Sequence, residues 1–599
     1  MSNNSLKGVT FGTNCPRIHS LLFADDLLIC GEATAQEAAT MKHILDYFCS
    51  ISDQTPNWSK SGILFSKHVQ PSNANAIKNI FPVQEMGTSF IHLDHPLILP
   101  AKNRASAYNF VFDKFRSKLS TYKADKLSHA ARLELIKYVF SSIPVYYMSN
   151  ILFSKKFIAK LTAIIRTFWW TGVREDSNTR SLCLKPWKDI CAPKKEGGLG
   201  IRNLQAVNQS LILMSAWRIA QNPSDHLHLI LQAKYFPSSS IWRPNSSAPK
   251  SAFWASILKV LPILKAHVSY QITKGDISIW STSWYASWNS IYEDLIIQPT
   301  GFNYPTLVKD LWLPNQKNWN DELITKLFIP SAANTIKQTP IINADVQDIL
   351  CWKLTQDGKC NAKFAYHACL QVLYQEGQQE RPATPSPDTV HLLKQVWKCK
   401  QIIPRVQTFA WRFLRKALPT GARAGRYSKH INKFCCRCGL QEDEVHLFFT
   451  CPFVKAAWFP APWYIRTELI THNCTDLAQI ILTLLNINHP YASLSTILTF
   501  MWCIWKSRND MLFRRKKGEP YQININAQAL ASNLECCYVT SPLMQENKNR
   551  QLQVTTTRLV SPVQGSTISS IASLQGTIIF SDASWKCRNI LESEGREAT

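Results

Sequence analysis

Four residues between positions 435 and 451 constrain this chain more tightly than anything else in it. Cys435 and Cys438 are two residues apart, and His446 and Cys451 follow after seven and then four more. Zn²⁺ prefers four tetrahedral sulfur and nitrogen ligands, and a Cys-x2-Cys pair lets one tight turn supply two of them. The bland alternative is a set of free thiols and an imidazole in an apolar core. Cys436 competes for a ligand role, but Cys436-x-Cys438 is too close for the usual knuckle. One Zn²⁺ held by Cys435, Cys438, His446 and Cys451 is therefore expected. With protein at all four positions it has no open place for an activated water, so it is structural.

The surrounding charge is one-sided. From Thr389 to Gln441 there is no acidic residue and there are twelve Lys and Arg. The whole chain carries 67 Lys and Arg against 41 Asp and Glu, a net +26 with pI about 9.4. Such an excess favours a polyanion, with RNA and DNA the expected partners. The candidate phosphate contacts are Lys398, Lys400, Arg405, Arg412, Arg415, Lys416, Arg423 and Arg426. Trp397, Phe409, Trp411, Phe413 and Tyr427 interleave with them. Exposed rings stack on unpaired bases, but Phe409 and Trp411 fall on helix faces that favour a core.

At 599 residues the chain is too long for one core, and about four units are expected. Hydrophobic residues make up 45%, which rules out disorder throughout. The longest uncharged stretch, 478–505, is interrupted by Asn486, Asn488, His489 and Pro490. That pattern predicts two buried helices and no membrane span. The first residues, MSNNSLKGVT, contain no signal-peptide core. Eighteen mostly isolated cysteines suit a reducing, intracellular compartment. Arg514 to Lys517 reads as a solvated helix end in preference to a nuclear signal.

Residues 18–30, IHSLLFADDLLIC, alternate apolar, acidic and apolar runs, the signature of a hairpin with Asp25 and Asp26 at its tip. Paired carboxylates on a rigid turn suit Mg²⁺ and two-metal phosphoryl transfer. A solvated turn is the plain alternative. Next, Thr34 is placed to cap a helix with Ala38, Met41, Ile44, Leu45 and Phe48 on one face. Gly197, Gly198 and Gly200 lack the spacing of a phosphate loop and read as a turn.

Several segments in order resemble reverse transcriptases of non-LTR, LINE-type retrotransposons, which are abundant in plants. HSLLFADDLLIC resembles their active-site hairpin, and Asn57-Trp58-Ser59-Lys60-Ser61 the next palm motif. WKDICAPKKEGGLGIRNL, 187–204, resembles a segment following the polymerase. The surroundings of the Cys/His set resemble the zinc-binding domain of these elements. They include Ile403-Pro404-Arg405, Phe409-Ala410-Trp411-Arg412, Leu418-Pro419-Thr420 and His446-Leu447-Phe448-Phe449. Ile578 to Lys586 looks like the first strand of a ribonuclease H domain, with Asp582 matching its first metal-binding carboxylate.

The resemblance implies an α+β, multidomain chain. Its parts are a partial palm (1–100), a helical thumb-like region (101–175) and a Trp-rich connector (176–380). The zinc-binding domain (388–460), a helical region (461–550), a linker (551–575) and a truncated ribonuclease H-like start (576–599) follow. Where the family has a turn glycine, this chain has Asp94, which strains the backbone if φ is positive there. The family's other palm aspartate lies upstream of the hairpin, and only 24 residues precede Asp25. The expected function is a zinc-containing, nucleic-acid-binding fragment without polymerase activity alone, taking Mg²⁺ at Asp25 and Asp26 only in a completed palm. The alternatives are an active RNA-directed DNA polymerase completed by upstream sequence, and a binding module in host use.

Overall fold

The computed structural model describes residues 6–12, 15–86, 91–97, 99–100, 104–122, 127–172, 182–238, 240–244, 249–280, 284–285, 294–299, 301–428, 430–460, 462–472, 474, 476–487, 489–539, 577–582 and 586–587. For 532–539, 577–582 and 586–587 it describes the backbone only. The expected linker 551–575 lies outside these residues.

The acidic run does form a hairpin. β1 (Ser20–Phe23) and β2 (Asp26–Gly31) pair antiparallel with Phe23 opposite Asp26. A two-residue turn, Ala24-Asp25, connects them, with Ala24 at φ 52°. β1 is an edge strand whose four residues are all exposed. Beside β2 the next strand in space is Thr577–Asp582, antiparallel, which then pairs with β3 (Gly62–Phe65). The register places Asp582 opposite Asp26. α1 (Ala35–Ser52) follows β2, and the Thr34 hydroxyl accepts from the Glu37 N–H at its start. Its Ala38 and Met41 pack on Ile29, Ile63, Ile77 and Phe81. Phe48, expected on that face, is exposed.

Asp94 sits in a tight turn between Ile91–His92 and His95–Pro96, and Leu93 and Asp94 have φ of 47° and 60°. Asp enters the left-handed region more readily than most residues because its short side chain bonds locally. Here its carboxylate pairs with Lys114 Nζ at 2.9 Å, and the Tyr146 hydroxyl donates to Leu93 O. These contacts offset the conformational cost.

One apolar core runs from Tyr108 to Ala527. It begins with α2 (Phe110–Thr121), α3 (His129–Leu135) and α4 (Lys155–Thr171). Ser128 and Ser154 cap the last two by accepting from backbone N–H groups three residues on. α4 buries Phe157, Leu161, Ile164, Phe168 and Trp169, an i, i+3, i+4 stripe. α5 (Leu204–Gln221) gives Leu204 and Val207 to this core. Its later residues enter a second core with α6 (Ala252–His267) and α7 (Ala362–Gln375). A third cluster, from Ile272 to Ile336, is built around Trp284 and Phe328.

The segment carrying the Cys/His set docks into the first core. α8 (Pro387–Lys398) leads to α9 (Pro404–Leu414), which packs on α3. Trp411 is fully buried, edge-on to Trp169, and donates its indole N–H to Gly197 O at 3.0 Å. The glycine segment is a turn: Gly197 has φ 84°, and a Cβ on Gly198 would lie 2.0 Å from Ala192 O. Asp189, from the same segment, faces Arg415 at 3.6 Å, both buried, and also accepts from the Ala383 N–H. The uncharged stretch forms α10 (Leu477–Asn486) and part of α11 (Leu494–Arg514). α12 (Pro520–Val539) then packs on α11. Among the described residues no helix is long and apolar enough to cross a membrane.

Removing one partner of a buried ion pair costs about 3–5 kcal/mol, because the other charge stays buried and unpaired. Asp189→Ala should therefore destabilise the chain by an amount of that order in urea unfolding. A loss below about 0.5 kcal/mol would show that the pair does not secure this junction.

Candidate metal centre and its basic surroundings

The two cysteines of the pair lie on a narrow backbone hairpin. Phe434 bridges Gln441, the Cys435 N–H donates to Leu440 O, and the Gly439 N–H returns to Cys435 O. Gly439 closes the turn at φ 76°, a conformation that favours glycine. His446 opens a single helical turn, His446–Thr450. Cys451 follows it and precedes a short helix spanning Pro452–Trp458. The Cys451 N–H donates to His446 O, which locks the spacing between these two side chains.

The ligand atoms of Cys435, Cys438, His446 and Cys451 all lie within 4.8 Å of one another. Cys438 Sγ is 3.2 Å from His446 Nε2 and 3.9 Å from Cys451 Sγ. A tetrahedral Zn²⁺ with Zn–S near 2.3 Å holds its donors about 3.5–4 Å apart, so the donor set fits that ion. Cys436 points elsewhere and lines a neighbouring cavity. Hydrogen bonds from its neighbours converge on the Cys435 sulfur. A hydrogen bond from Cys451, with others from the Arg437 and Cys438 N–H groups, holds its thiol well below the usual value. Arg437 lies flat on the Phe453 ring at 3.6 Å and donates to Ser507 Oγ of α11, tying the hairpin to the core.

The basic residues separate into two kinds. Lys398, Lys400, Arg405, Lys416 and Arg426 are exposed. Arg415 is not: it is buried against Asp189, a partner contributed by a distant segment, which corrects the expectation that it faces nucleic acid. Arg412 is half-buried, donates to Ala417 O and meets His129 Nδ1 at 3.3 Å. Burial, with Arg132 nearby, lowers its pKa to about 10, so it stays charged at neutral pH. Arg423 is paired with the buried Glu444 at 2.6 Å. Lys185, which the sequence reading missed, has its pKa lowered by burial and by Arg415, Arg423 and Lys416, marking a cationic cluster. The aromatic Phe409, Trp411 and Phe413 are core residues, whereas Tyr427 is exposed.

The hairpin places Asp25 in the exposed turn and Asp26 half-buried at the start of β2. For Asp582 the structure describes only its backbone register opposite Asp26.

Three similarities accompany this geometry. Residues 373–458 match the family described as zinc-binding in reverse transcriptase. A "putative ribonuclease H protein" of Arabidopsis thaliana is 28% identical over 375 residues, covering 60% of this chain and 57% of that protein. The chain thus spans little more than half of that relative. An "uncharacterized mitochondrial protein" of the same plant is 32% identical over 145 residues, covering 24% of this chain and 92% of the relative.

If the four donors hold a metal, Cys438 and Cys436, on either side of Arg437, must respond differently to substitution. Cys438→Ser should cost several kcal/mol in thermal or urea unfolding, since metal binding in such sites is largely folding energy. Cys436→Ser should stay within about 1 kcal/mol. Equal effects, or the reverse order, would refute the ligand set.

Proposed function

From the premise that this chain belongs to the reverse-transcriptase-related proteins of plant retrotransposons, we propose that it is a nucleic-acid-binding protein whose fold is completed by one structural zinc ion. The observation that carries the proposal is the convergence of Cys435, Cys438, His446 and Cys451 within a segment otherwise rich in exposed cations. When bound, zinc supplies a cross-link and neutralises thiolate charge. The chain's own residues do the rest. The Cys435–Cys438 hairpin and the His446 turn hold the donors, and Arg437 anchors the hairpin to α11.

RNA and DNA are the proposed ligands. Lys398, Lys400 and Arg405 flank the start of α9, and Lys416 and Arg426 lie beyond its end. Their exposure suits phosphate contact, whereas Arg415 and Arg423 already serve Asp189 and Glu444. We further read the element as LINE-type, from the ordered motifs that include the Asp25-Asp26 hairpin. Those aspartates, with Mg²⁺, are assigned to a polymerase palm.

Binding to single strands through phosphates makes log K fall with log salt by about 0.7 per contact. Replacing Lys398, Lys400 and Arg405 together by Ala should weaken oligonucleotide binding by the purified chain and reduce that slope by about 2. A salt-independent affinity, or an unchanged slope in the variant, would contradict the assignment.

A further inference from the structure

A cavity of about 530 Å³ opens beside the Cys/His set, where the hairpin, α3, α9 and α11 meet. Its size lies within the ~300–1,000 Å³ typical of small-ligand sites. Side chains in the extended segment alternate in direction. Cys435 turns to the donor cluster, while Phe434 and Cys436 line the cavity. Phe513, at the end of α11, lines it from another segment. Phe434 is 58% exposed and Phe513 75%, so neither ring is spent on the core.

The polar groups of the cavity are unevenly used. Glu442 accepts from the Arg508 guanidinium at 2.5 and 3.1 Å and from the Gly421 N–H at 2.8 Å, so that carboxylate is satisfied. Asp510 nearby pairs with Arg514 at 3.0 Å. His129, by contrast, has its Nδ1 next to Arg412 but its buried Nε2 without any hydrogen-bond partner. Burial, with Arg412 and Arg132 close by, keeps this imidazole neutral. A neutral ring presents one donor or one acceptor there. Lys433, which adjoins Phe434 in the chain, and Arg514 and Arg515, which follow Phe513, are exposed, whereas Lys516 and Lys517 line a separate pocket with Ser507 and Asp510.

We propose that this cavity receives an unstacked nucleobase of a single-stranded polynucleotide, with Phe434 and Phe513 as stacking faces. An apolar mouth within a cationic surface favours a ligand that is flat and anionic at once, as a base attached to its phosphates is. A hydrophobic protein segment alone gives the surrounding lysines and arginines no counter-charge. The inference rests on the nucleic-acid reading above and adds a site, separate from the phosphate contacts, that senses the base.

The test uses the full chain and two probes of equal length, a 12-nucleotide single strand and its fully abasic counterpart, followed by fluorescence anisotropy. The wild-type chain should prefer the base-bearing strand by about tenfold or more. The double variant Phe434→Ala, Phe513→Ala should lose that preference while keeping its affinity for the abasic strand and its salt slope. Because both rings are exposed, the variant should fold, and an unchanged unfolding curve checks this. Salt-dependent binding with no preference for bases, or a preference that survives the double variant, would overturn the cavity assignment and leave the nucleic-acid reading standing. Binding of neither probe would overturn both.

Discussion

Three cysteine sulfurs and an imidazole confined within 4.8 Å make a demand that side chains alone do not meet. Thiolates brought together repel one another and lose hydration on burial, and a cation at the centre of such a cluster relieves both penalties. The polypeptide is arranged around that demand. N–H groups of Arg437 and Cys438 point at Cys435, and the Arg437 guanidinium stands beside the cluster. By stacking on Phe453 and bonding to Ser507, the same guanidinium carries the constraint outward into the helical core.

That core is not private to the zinc segment. Trp411 reaches Gly197 and Trp169, Arg415 reaches Asp189, and Arg508 of α11 reaches Glu442. Each joins parts of the chain that the sequence pattern separates into successive units. The exposed cations are thus presented on a rigid base, and the cavity wall formed by Phe434 is held by the same hairpin that holds Cys435. Order at the donor cluster and order at the basic surface are physically linked.

Local rules were legible in the residues. Thr34 caps its helix, the break after Asn486 divides the uncharged stretch, and the glycines at 197 and 198 form a turn. The spacing that favoured Cys435 over Cys436 agrees with where the two side chains point, because a two-residue separation matches the hairpin closed by Gly439. Long-range partners were not legible. Nothing local to Arg415 announces Asp189, so a cation in an acid-free run looked exposed when it is buried. The cavity draws on segments around 129, 412, 434 and 513 and has no linear signature. Likewise the pairing of Thr577–Asp582 with β2 follows no local pattern.

The most direct measurement is zinc-edge X-ray absorption on the purified full chain, together with metal content. The account predicts one zinc per chain, with a first shell of three sulfurs near 2.3 Å and one nitrogen near 2.0–2.1 Å. A chain without zinc, or a shell in which water replaces a protein ligand, would contradict it.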